Sequence, residues 1–211
     1  SKELPVYGAK VIACRRCTLD IHGAPLLDHR TWTRLNATAD AGATSLCFTQ
    51  PVDWPPYSQI VIASSGFDMN EAEQRTTTAL THSGHCVSFL RPLTYQHLGE
   101  RRYYAGHAIE MRAEVGLLSR NVVIQGNDWS PLDRHGGHIM LYSEEGYFRD
   151  NSLIGRIENA ELRYMGQAFQ MGRYTVHFHM SGTIDQSYLR RNSSALANAF
   201  AKALSPTDRM V

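Results

Sequence analysis

Charge of one sign is what this sequence has least of. Across 211 residues, 21 Lys and Arg stand against 20 Asp and Glu, a formal balance of +1. That balance gives no footprint for nucleic acid, and no nucleic-acid partner is expected. Long apolar runs are missing as well: none approaches the roughly 18 residues that a membrane span requires. Ser1-Lys2-Glu3-Leu4-Pro5 also lacks the apolar region of a signal peptide. The chain opens inside strand-like sequence and closes at Met210-Val211 without a capping segment. It therefore reads as a piece of a longer protein whose signal and membrane anchor lie elsewhere. GxGxxG, P-loop, HExxH and GxSxG patterns are all absent, so none of these nucleotide, metalloprotease or hydrolase signatures is available. What remains is ordinary globular material, 43% hydrophobic and 19% charged, long enough to bury a core.

Cysteine is scarce, at four residues. Cys14-Arg15-Arg16-Cys17 has CxxC spacing without a second pair, a weak zinc signal. On a strand over 11–20 these two thiols fall on opposite faces, which argues against a local bridge. In a secreted chain the pairing of first choice is Cys47 with Cys86; four buried thiols acting as small hydrophobes is the alternative. Asn36-Ala37-Thr38 and Asn192-Ser193-Ser194 are N-glycosylation sequons, placing Asn36 and Asn192 among candidate surface sites.

Residues 1–115 read as β structure, with at most one short helical turn in Asp68–Arg75. Strand candidates such as Gln59-Ile60-Val61-Ile62-Ala63 and Cys86-Val87-Ser88-Phe89-Leu90 alternate with turn clusters such as Trp54-Pro55-Pro56 and His82-Ser83-Gly84. Gly99–Ala108 looks like an exposed loop. Further on, one pattern recurs in Asn121–Asn127, Asn159–Tyr164 and Gln186–Asn192, the spacing of a parallel β-helix. Aligning the copies turns Val122, Ile124, Ala160, Leu162, Ser187 and Leu189 inward, and Glu161, Arg163, Tyr188 and Arg190 outward. A second strand per coil, His138–Tyr142 and Val176–Met180, takes Ile139, Leu141, Val176, Phe178 and Met180 as core. His177 and His179 then share the outer face beside Met140 and Tyr142.

Two imidazoles at i and i+2 of a strand lie on one side, close enough to hold a divalent ion such as zinc, with His135, His138, Asp150 or Asp185 as further ligands. The alternative is a pair of histidines that simply covers an outer sheet face. Outward tyrosines (Tyr142, Tyr147, Tyr164, Tyr174, Tyr188) with Arg163, Arg173 and Arg190 suit an acidic polysaccharide. The ligand face is assigned to Tyr142, Arg163, Tyr188 and Arg190. Asp133, Asp150, Glu158, Glu161 and Asp185 are candidates for acid/base pairs.

Thr31-Trp32-Thr33-Arg34-Leu35, Pro51-Val52-Asp53-Trp54, Glu73-Gln74-Arg75 and Leu93-Thr94-Tyr95-Gln96-His97-Leu98 resemble the eight-glycine domain of the fibrocystin and fibrocystin-L family. Glu161-Leu162-Arg163-Tyr164-Met165-Gly166-Gln167 and Tyr174-Thr175-Val176-His177-Phe178-His179 are similar to the right-handed parallel β-helix that follows it there and in related cell-surface hyaluronidases. The resemblance implies an all-β chain: the C-terminal part of an eight-glycine-type domain over 1–115, continuing into truncated β-helix rungs over 116–211. It also implies an extracellular, membrane-anchored, receptor-like protein of cilia or other surface projections. No catalytic residue is carried over. The expected role is a structural or adhesive scaffold at the extracellular face of a plasma or ciliary membrane, contacting matrix glycan or surface proteins. The alternative is an enzyme that depolymerises hyaluronan, metal-assisted through His177 and His179.

Overall fold

The computed structural model describes residues 3–26, 28, 30–143, 153–182 and 184–195; Tyr147 and Asp150 lie outside the described residues. Contacts divide the chain into two compact units, Ser1–Ala24 with Arg120–Val211, and Pro25–Ser119. The chain begins with β1 (Val11–Arg15) and β2 (Thr18–His22), leaves that unit, and builds the other before returning.

The second unit holds β3 (Trp32–Arg34), β4 (Ser45–Cys47), β5 (Gln59–Ile62), β6 (Glu73–Thr81), β7 (Cys86–Phe89), β8 (Arg101–Tyr104), β9 (His107–Glu110) and β10 (Glu114–Leu117). Six of these form one antiparallel sheet in the order β3-β10-β5-β6-β7-β4. Alternation does the sorting: Ile60, Ile62, Val87, Val115 and Leu117 are buried with Phe48 and Trp54, while residues between them face outward. Cys47 and Cys86 stand directly opposite on β4 and β7 and are joined by a disulfide. The helical turn within Asp68–Arg75 is a 3-10 turn over Met69–Glu71, capped by the Asp68 carboxylate accepting from the Asn70 N–H at 2.8 Å. Gly99–Ala108 is not a plain loop. Its residues enter the β8–β9 hairpin, turned at Ala105 and Gly106, both at positive φ.

The first unit resumes at β11 (Val122–Gln125), followed by the short helix α1 (Ser130–Asp133), β12 (His138–Tyr142), β13 (Ile154–Glu158), β14 (Ala160–Arg163), β15 (Val176–His179), β16 (Tyr188–Arg190) and β17 (Ser193–Ala195). Its strands stack into three parallel sheets, β1-β12-β15, β2-β13-β16 and β11-β14-β17. That is the coil-on-coil pattern of a parallel β-helix. Cys14, Ile139, Leu141, Ile157, Ala160 and Leu162 fill its interior, with Val176 and Phe178 packed against them.

Three readings of the sequence are corrected here. The residues over 11–22 pair in register with 138–142 and 154–158, so they belong to the first coil, not to the antiparallel part that a 1–115 domain assigned them to. The eight strands β3–β10 are thus an insertion between the second and third strands of that coil. Next, Gln186–Asn192 does not align with Asn121 and Asn159. Its strand pairs with β13, and the third rung beside β14 is Ser193–Ala195. Both stretches alternate in the same way, and period-2 parity alone cannot tell one sheet from another. Finally, Cys14 and Cys17 are joined to each other. The strand presumed continuous over 11–20 breaks at Arg16, whose φ of 51° turns a corner, and both sulfur-bearing residues then meet the same interior.

Candidate functional site

The outer face of the first parallel sheet is built by register. Met140 pairs with His177 and Tyr142 with His179, while Ala13 and Arg15 lie beside Met140 and Tyr142 on the other side. Because Ile139, Leu141, Val176 and Phe178 point inward, the residues between them must point out. His177 and His179 do share the outer face, yet His177 is only 9% exposed. Being outside the coil has not left it in water.

Five rings form a continuous row across this face. Tyr7 meets Tyr142 edge-on at 5.9 Å, Tyr142 stacks on His179 at 5.4 Å, His179 lies 5.2 Å from His177, and Tyr174 meets His177 edge-on at 5.4 Å. The Arg15 guanidinium stands over the Tyr142 ring at 5.9 Å. His177 Nε2 and His179 Nδ1 are 3.1 Å apart and share a hydrogen bond. Burial, then the neighbouring His179, Arg173 and His138, hold the His177 pKa down to about 4. It is a neutral imidazole at neutral pH.

His138 lies on the same face but is fully buried under the N-terminal segment, its Nε2 2.9 Å from the Tyr7 carbonyl oxygen and its Nδ1 3.4 Å from the Gln167 amide. Burial lowers its pKa, opposed by the Tyr7 hydrogen bond. Arg173 is half-buried, with its guanidinium packed over Gly8. No carboxylate pairs with it among the described residues. Among the described residues the face is aromatic, with the Arg173 guanidinium beside it.

A metal centre is only half present. A nitrogen separation of 3.1 Å suits two ligands of one ion with bonds of about 2.0–2.1 Å. Among the described residues, however, no group of three or more His, Cys, Asp or Glu is placed to hold one. His138 is committed to Tyr7 and Gln167, and Asp185 sits exposed in a turn.

The four residues assigned to one ligand face are divided among three. Tyr142 belongs to the first sheet, Tyr188 and Arg190 to the second, and Arg163 to the third. On the second sheet the Arg190 guanidinium covers the Tyr188 ring at 4.1 Å and donates to Glu158 at 2.8 Å. Arg191 also pairs with Glu158, and His22 Nδ1 lies 3.7 Å from it. The two arginines hold the Glu158 carboxyl below its ordinary range. On the third sheet Glu161 is 2% exposed and pairs with Arg163. Glu158 is thus held as a carboxylate, unsuited to donating a proton, and Glu161 is engaged by Arg163. Asp133 is exposed on α1. Of the sequons, Asn36 is exposed, whereas the Asn192 amide bonds to the coil beneath it.

Tyr7, a member of the ring row, and Arg15, which stands over it at Tyr142, are the residues that sequence reasoning missed. Arg15 was legible by aligning Val11–Arg15 with His138–Tyr142, since both are five-residue strands of one sheet. Tyr7 carries no such signal, because it precedes the first strand and reaches the face by chain folding alone.

A family model described as CEMIP beta-helix matches residues 134–205. Human fibrocystin-L is 35% identical over 97% of this chain, which covers 6% of that protein. A G8 domain-containing protein of Dictyostelium discoideum is 35% identical over 87% of the chain and is covered to 15%. Human cell surface hyaluronidase CEMIP2 is 36% identical over 63% of the chain and is covered to 10%. The chain spans a small fraction of each of these relatives.

Proposed function

Since the chain belongs to the fibrocystin-L-related family, which also includes CEMIP proteins, we propose that it is an extracellular β-solenoid scaffold that holds an acidic glycan on its first parallel sheet. The single observation carrying this reading is the row Tyr7–Tyr142–His179–His177–Tyr174, flanked by Arg15 and Arg173. Sugar rings lie against aromatic faces, and a uronate carboxylate matches an arginine fork. A stiff coil presents such a row without ordering cost, which suits adhesion or receptor-like display at a cell surface. The relative named as a cell surface hyaluronidase supports glycan as the ligand class.

Titration calorimetry with hyaluronan oligosaccharides tests this. Binding weakens roughly tenfold or more in Arg173→Ala, the loss expected for a charge-assisted hydrogen bond, and also weakens in Tyr142→Ala. Unaltered affinity in both variants would remove the face from consideration. A second reading, depolymerisation of the glycan, rests on the His177 and His179 imidazoles, hydrogen-bonded to each other on this face. It requires shortened hyaluronan by size exclusion, abolished in His177→Ala and His179→Ala. A divalent ion on these two nitrogens would polarise a sugar oxygen, and among the described residues His177 and His179 are the pair that would hold it.

A further inference from the structure

The two sequons are equivalent as triplets and opposite as structures, and we infer that Asn36 carries the N-linked glycan while the Asn192 sequon stays unmodified in the folded protein. The inference concerns modification, and of the reading above it uses only the extracellular setting. Asn36 follows β3 and is exposed; its backbone N–H donates to the Cys47 carbonyl at 3.0 Å, and no bond to its side chain is formed among the described residues. A sugar linked there extends into solvent and disturbs no contact. Its neighbour across that bond is in the Cys47–Cys86 disulfide, a linkage formed in the same oxidising route that attaches glycans.

Asn192 stands at the corner between β16 and β17, immediately after Arg191, which turns the chain at φ 56°. Its Oδ1 accepts from the Ala160 N–H at 2.9 Å and its Nδ2 donates to the Ile157 carbonyl at 2.8 Å. One amide thus straddles the Glu158–Asn159 corner of the coil below. It bonds a backbone donor and a backbone acceptor on the two sides of that corner and so ties the two coils together. The residue before it is pinned too, the Arg120 guanidinium donating to the Arg191 carbonyl at 3.2–3.3 Å. The residue after it, Ser193, is 6% exposed. N-glycosylation replaces an Nδ2 hydrogen by an N-acetylhexosamine, on an atom already 2.8 Å from a carbonyl oxygen of the coil below. Asn192 is half-buried with both polar atoms of its amide engaged, so a sugar there competes with the bonds that tie the two coils together.

The 211-residue chain, sent through the secretory route of cultured animal cells by an added signal peptide, decides the matter. Peptide mass mapping after enzymatic glycan release in heavy-oxygen water marks each occupied asparagine. In the secreted, folded fraction the Asn36 peptide carries the mark and the Asn192 peptide does not. Asn36→Gln removes one glycan-sized step on a gel. Ser194→Ala, which destroys the second sequon while sparing the Asn192 amide, leaves the band unchanged. A marked Asn192 in folded protein, a band shifted by Ser194→Ala, or an unmarked Asn36 would each overturn the inference.

Discussion

At the scale of single residues, His177 and Glu73 are groups whose charge state the fold sets, and each links stability to acid. His177 is held near 4 by burial and its cationic surroundings, against 6.5 when unperturbed. Below about 6.5 the unfolded chain therefore takes up a proton that the folded chain refuses. The contribution is complete above that pH and drains away as pH falls towards 4. In His177→Gln the pH dependence of the unfolding free energy, from urea titrations, flattens between pH 6.5 and 4 by up to ~1.4 kcal/mol per pH unit. An unchanged slope would assign that proton to another group. Glu73 works in a lower window. Burial pushes its carboxyl up, but the Tyr95 and Thr94 backbone N–H groups, the His97 imidazole and the Thr94 hydroxyl outweigh that and hold it at about 2. Its contribution is present above 4.5 and lost as pH falls to 2. With Arg75 and His97 it forms a buried polar trio inside the antiparallel unit, none of which the alternating pattern distinguished from surface charge.

At the scale of elements, β4 has three residues and closes the edge of the six-stranded sheet, too short for its ladder alone to hold it. The Cys47–Cys86 bond joins it to β7 across 39 residues of chain and reduces the freedom of the unfolded state. Replacing both cysteines by alanine costs the unit about 2–4 kcal/mol, read from chemical denaturation of oxidised protein, while β12 and β15 are unaffected. Equal stability of the double variant and the parent would mean the strand is held by Leu46 and Phe48 packing alone. Strand facing was readable at this scale, as Ile139 and Leu141 against Met140 and Tyr142 illustrate. Strand partnership was not: Tyr188–Arg190 and Ser193–Ala195 both suit a rung, and only the left-handed corner at Arg191 decides which sheet each enters.

At the scale of the whole molecule, the antiparallel strands are an excursion from one coil. The chain departs at Ala24 and returns at Arg120, and the Ala24 N–H donates to the Asn121 side chain at 2.6 Å. The two ends of the excursion are therefore within bonding reach. Separate cores serve the two parts. Replacing 25–119 by a short glycine-serine link is expected to leave a cooperative thermal transition of the parallel unit, followed by circular dichroism, with hydrogen-exchange protection retained in β12 and β14. Loss of that transition would show that the two cores fold as one.

Strand character and, within an unbroken strand, in-or-out parity were settled by the amino-acid order itself, because a β-strand reverses its side chains at every residue. Past a corner the rule fails, as at Met180, expected in the core and 42% exposed at a φ of 51°. The pairing of imidazoles on one face followed from the same rule. Which strands become neighbours depended on where corners fall and how far the chain travels between them. Only the folded chain could therefore bring Tyr7 and Arg15 to Tyr142, join Cys14 to Cys17, split the tyrosines and arginines over three faces, and resume one coil after an inserted sheet.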